Sequence, residues 1–228
     1  MIKSLLNKSL EIIKKDTLIL TPYLFFFMIF NFWQPATLKW TLALIFVAGL
    51  IELFFKTFTL IMAKTFHESQ SFSYKTIIGA TWAKYPKLFL SSCVLLLPLI
   101  PFVYIVKTIA IFDILKVIIL LIVILPIALF LKFLPVFILM QEKKWPSIFH
   151  NMLLFFKNNY SKIIVFLGLT ISINILTTIL RLIFIKIPYI GPTLQIIPLA
   201  LSATFVAILE YNFYIAYYKS SKTIDTAA

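Results

Sequence analysis

Six apolar runs, each near the length a helix needs to cross a bilayer, recur along the 228 residues and dominate what the chain can fold into. They lie at Leu18 to Trp33, Leu42 to Met62, Leu88 to Val106, Leu115 to Leu139, Ile163 to Ile185 and Leu194 to Tyr218. None shows the roughly ten-residue in/out alternation of a transmembrane barrel strand. With 62% hydrophobic and 13% charged residues and a mean hydropathy of +1.03, the chain has too little polar material to coat a soluble globule. An all-α, polytopic membrane protein with six transmembrane helices is expected, residues 1–228 forming a single membrane domain.

The formal charge of +13 acquires meaning from its placement. Lys39, Lys107, Lys116, Arg181 and Lys186 fall on one side of the six spans, Lys56 and Lys132 fall inside them, and the other fourteen of the 21 basic residues fall on the opposite side. Excess Lys and Arg mark cytoplasmic loops, so both termini are expected in the cytoplasm. Basic residues ahead of the first apolar run are reminiscent of a signal peptide. No small-residue cleavage site follows Trp33, however, and the first span is expected to be retained. A face this basic selects anionic lipid headgroups as partners, each nearby Lys contributing about 1 kcal/mol, rather than nucleic acid.

Three amphipathic stretches precede the first, third and fifth spans. In Phe72 to Lys87, residues Tyr74, Ile77, Ile78, Trp82 and Tyr85 share one helical face. In Pro146 to Asn159 the apolar face is Ile148, Phe149, Met152, Phe155 and Phe156, and in the first sixteen residues it is Ile2, Leu5, Leu6 and Ile13. All three are expected to lie in the cytoplasmic headgroup plane. Their junctions with the spans align at Lys14, Lys84 and Lys157. The chain thus reads as three parallel repeats of amphipathic helix plus transmembrane hairpin, at about residues 1–66, 67–143 and 144–222.

The second span of each unit carries charge at a matching depth: Lys56, Lys132 and Glu210. Glu52 precedes Lys56 by one turn in the favourable order and brings the set to neutrality. A charge at a helix centre costs about 2.5 to 3.5 kcal/mol, so these four residues are expected to pair or to line a cavity. They are the candidate site.

Signatures of catalysis are lacking in the sequence. It contains no HExxH, no GxSxG and no Gly-rich phosphate loop, and four glycines leave few places to build one. His67 and His150 are isolated, and Cys93 has no partner cysteine, so no cofactor or metal is expected. Asn174 and Arg181 share a face of the fifth span, Arg181 near enough to the interface to anchor there. Prolines at 22, 98, 101, 126, 135 and 198 punctuate the spans as potential kinks.

The segment Phe133-Leu134-Pro135-Val136-Phe137-Ile138, a short polar turn and the helix Ser147 to Asn159 resemble a large group of bacterial six-helix membrane proteins. That group is related to the membrane domain attached to some glycerophosphodiester phosphodiesterases. Leu209-Glu210-Tyr211 to Tyr217-Tyr218-Lys219 is similar to its closing stretch. Gln141-Glu142-Lys143-Lys144 departs from the pattern, in which an acidic residue and then glycine or a small residue follow the fourth span. The resemblance implies six helices and a place in a bacterial inner membrane; no catalytic phosphodiesterase domain is present, so that activity does not carry over. The expected function is a non-enzymatic membrane scaffold or lipid-associated module. The alternative is a small transporter or permease subunit using Glu52, Lys56, Lys132 and Glu210.

Overall fold

The computed structural model describes residues 2–31, 38–68, 73–96, 99–108, 113–141, 145–187 and 190–225, and every element among them is helical. α1 (Ile2–Lys15) stops at Asp16, whose carboxylate accepts the Leu18 amide at 2.8 Å and caps a single 3-10 turn, Thr17–Leu20. α2 (Thr21–Asn31) follows with Pro22 in its first turn, where a missing N–H removes no helical bond. α3 is Leu38–His67, α4 Tyr74–Leu96, α5 Leu99–Thr108 and α6 Asp113–Met140. α7 (Trp145–Ile185), the single turn α8 (Gly191–Leu194) and α9 (Ile196–Asp225) complete the order.

Among the described residues, three helical segments are long and apolar enough to cross a membrane: Ile122–Met140, Pro146–Ile185 and Ile196–Tyr218. The first expected span, Leu18 to Trp33, is described as far as Asn31 and holds an apolar helical stretch over Thr17–Ile29. The third falls on α4, described as far as Leu96, and on α5, described from Leu99; residues 97 and 98, Pro98 among them, lie outside the described residues.

Two expected interfacial helices are continuous with the spans that follow them. Of the stretch Phe72 to Lys87, the part from Tyr74 onward belongs to α4, which accommodates Pro86 in its interior, and Pro146 to Asn159 enters α7. α7 breaks at Asn159, where φ −126° and ψ 20° leave the helical region and the Asn159 amide donates to the Phe155 carbonyl at 3.1 Å. Asp16, Pro86 and Asn159 each stand two residues beyond the aligned lysines Lys14, Lys84 and Lys157. The chain changes course at Asp16 and at Asn159 because each side chain offers the backbone a local bond that competes with the helix.

α3, α6 and α9 touch one another and form the centre. α2 packs against α9 and α3, α4 against α3 and α6, and α7 against α6 and α9, so each outer helix fills one seam of the central three. Burial follows this layout. Residues 57–63 of α3, 133–139 of α6 and 207–214 of α9 are buried without interruption. A helix buried at every phase is surrounded on all sides. Aromatic rings fill the space between them: Phe133 lies 5.8 Å from Phe213, Phe166 4.8 Å from Phe213, and Phe137 4.8 Å from Tyr214.

The amphipathic faces are covered by protein to different extents. Ile148, Met152 and Phe155 are buried, with Phe155 against Phe133 and Phe137 of α6. Leu5 and Ser9 of α1 are buried on α9, where the Asn212 amide donates to the Ser9 hydroxyl at 2.9 Å. On α4 the buried face is Ile77 and Thr81, while Tyr74, Ile78 and Trp82 stay exposed. Periodicity finds an apolar face without saying what covers it.

Candidate functional site

Glu210 collects both mid-helix lysines. The Lys56 ammonium lies 2.6 Å from its Oε2 and the Lys132 ammonium 3.4 Å from its Oε1, while Lys56 also donates to the Lys132 carbonyl at 2.8 Å. The three charges therefore join α3, α6 and α9 at their common contact. The Glu210 side chain is 2% exposed, those of Lys56 and Lys132 15% and 20%. A carboxylate this enclosed requires a cation beside it, and sharing it between two ammonium groups leaves the trio with one net positive charge.

Glu52 departs from the expected pairing. It has no ion pair with Lys56 or with any other described residue, because Glu210 takes Lys56 from across the helix interface. Glu52 is exposed and faces a cavity of about 700 Å³. All four expected site residues line that cavity, but only three are bonded together.

The cavity occupies one side of the charged trio. Its walls run from Gly49 to Lys56 on α3, from Leu199 to Glu210 on α9 and over Leu131 and Lys132 on α6, and never extend C-terminal of the three charges. The uninterrupted buried runs of α3 and α6 begin at the next residue, and that of α9 surrounds Glu210. The trio is thus the floor of a vestibule, with a packed aromatic core beneath it. Its volume is within the range of about 300 to 1,000 Å³ typical of ligand sites.

Tyr23, Ser92, Thr170, Asn174 and Ser202 supply further polar groups to walls that are otherwise Leu, Phe, Ala, Val and Gly. Sequence reading grouped Asn174 with Arg181 and missed the other four. The structure separates that pair, with Asn174 in the cavity wall and Arg181 reaching Gln195 across the α7–α9 turn at 3.5 Å. The available signal was the scatter of small polar residues within apolar spans, which favour helix contacts and cavities. Among the described residues no group of three His, Cys, Asp or Glu side chains is placed to hold a metal ion.

No family model matches this chain, and neither does any curated protein or solved structure.

Proposed function

We propose that this protein is a non-enzymatic, multi-pass inner-membrane protein of the small-transporter kind, binding a small polar or amphiphilic molecule in the vestibule above Lys56, Lys132 and Glu210. The observation that carries this reading is the one-sidedness of the cavity: charged floor, mixed polar and apolar walls, and a sealed core on the far side. A carrier at rest has this form, open to one face and closed to the other. In this reading all six apolar runs cross the bilayer, the basic ends and both termini are cytoplasmic, and the vestibule opens away from the cytoplasm.

The threefold organisation belongs to the same proposal. Each unit contributes one central helix, one seam-filling helix and an amphipathic segment resting on the central helix of the unit before it, with α1 on α9 closing the ring. The aligned junction residues Asp16, Pro86 and Asn159 and the central charges Lys56, Lys132 and Glu210 support it from two independent positions in the unit. The likeness in layout to the six-helix family fits this arrangement. A scaffold role retains one observation in its favour, the exposed Tyr74, Ile78 and Trp82 on α4.

Cysteine accessibility tests the reading. In a Cys93→Ser background, Asn174→Cys and Ser202→Cys are expected to react with a membrane-impermeant maleimide only from the face opposite the basic ends, and Leu134→Cys from neither. Labelling at Leu134→Cys from the basic face, or none at the two vestibule positions, would sink it.

A further inference from the structure

The charges that face the vestibule are of both signs and are not equally engaged. Glu52 is an accessible carboxylate with no ion-pair partner among the described residues. Lys132 commits one direction of its ammonium to Glu210 at 3.4 Å and stands over the Phe166 ring at 5.5 Å, so donors remain for a further anionic group. Glu210 itself is enclosed and already engaged by Lys56 and Lys132. A ligand entering the vestibule therefore meets one available carboxylate and a lysine with unused donors, framed by the apolar walls Phe27, Leu53, Leu131 and Val206.

We propose that the vestibule takes a zwitterion on an apolar body, its ammonium bonded to Glu52 and its phosphate or carboxylate to Lys132. This rests on the ligand-binding reading above and names the ligand class for that site. A purely anionic headgroup would leave Glu52 beside it unpaired and repelling, and a purely cationic one would leave the excess positive charge of the trio unanswered. A neutral molecule would strand both. The same chemistry occurs in two sources, an aminophospholipid headgroup and a free apolar amino acid, and the apolar walls suit the tail of either.

The test is native mass spectrometry of the purified full chain in detergent, titrated with phosphatidylethanolamine, phosphatidylglycerol and diacylglycerol, and separately with L-phenylalanine. Phosphatidylethanolamine is expected to bind at least about tenfold more tightly than the other two lipids, the worth of one charge-assisted hydrogen bond. Glu52→Gln is expected to erase its advantage over phosphatidylglycerol, and Glu52→Asp to retain it. Competition by L-phenylalanine would assign the site to the free zwitterion and also supports the proposal. A wild-type preference for phosphatidylglycerol or diacylglycerol overturns the ligand class while leaving the vestibule a binding site. Should Glu52→Gln not assemble, the wild-type ranking alone decides. If nothing binds, and Ser202→Trp, which fills the vestibule, displaces nothing that co-purifies, both this proposal and the binding reading fall.

Discussion

Lys56 and Glu210 meet at 2.6 Å although neither lies near the other in the chain, and Lys132 closes on the same carboxylate at 3.4 Å. Glu210 is the shared member, so the three residues differ in what their loss should do. Glu210→Gln strands two ammonium groups and is expected to destabilise the protein by about 3 to 5 kcal/mol, the usual cost of removing one partner from a buried pair. Lys132→Met leaves Glu210 with Lys56 and should cost less. Denaturant titration in detergent micelles would rank them, and equal losses for both would contradict the shared-carboxylate geometry.

Ser9 and Asn212, 203 residues apart, join the two ends of the chain through a buried hydrogen bond. Ser9→Ala leaves the Asn212 amide unsatisfied and is expected to cost about 1 to 3 kcal/mol. Combining it with Asn212→Leu should recover part of that loss, because no polar group is then stranded. Additive losses in the double-mutant cycle would show that the bond contributes nothing.

Ile148 and Met152 distinguish a buried amphipathic face from a lipid-facing one. Both are fully buried, whereas Leu153 in the same turn of α7 is exposed. Ile148→Ala and Met152→Ala are each expected to cost about 2 to 5 kcal/mol, and Leu153→Ala less than about 0.5 kcal/mol. Thermal unfolding followed by far-UV circular dichroism would separate them.

Phe133 touches Phe155, Phe156, Phe166 and Phe213 and is fully buried beneath the charged floor. Phe133→Ala should cost about 3 to 5 kcal/mol in stability. In the proposed carrier it should also open the seal, making Leu134→Cys reactive to a maleimide from the basic face. Stability lost with Leu134→Cys still protected would place the seal elsewhere.

Gly191 closes the turn between α7 and α9, and a Cβ there would collide with the backbone carbonyls of Phe184 and Ile185. Gly191→Ala is expected to cost about 1 to 3 kcal/mol, since backbone cannot move aside as a side chain does. Gly49→Ala, where nothing lies within 4 Å of the added atom, serves as the comparison. Similar melting temperatures for the two variants would refute the tight turn.

Much of this architecture was legible beforehand because hydropathy and charge placement are local quantities. The apolar runs, the helical class and the matched depth of Lys56, Lys132 and Glu210 follow from residue order and from the cost of charge in an apolar setting. The junctions aligned at Lys14, Lys84 and Lys157 were legible too, though not that α4 continues through Pro86 while α7 kinks at Asn159. Partner choice was not legible. Glu52 is one turn from Lys56 and was the natural counter-charge by spacing, yet Glu210 takes that lysine from another helix. The amphipathic faces were found correctly as faces, but two of them are covered by protein. Residue order alone determined which segments are apolar, where the charges fall and at what interval they recur. Only the tertiary structure decided which charges meet, which one stays open to a cavity and what each apolar face touches, because those depend on how helices distant in sequence cross in space.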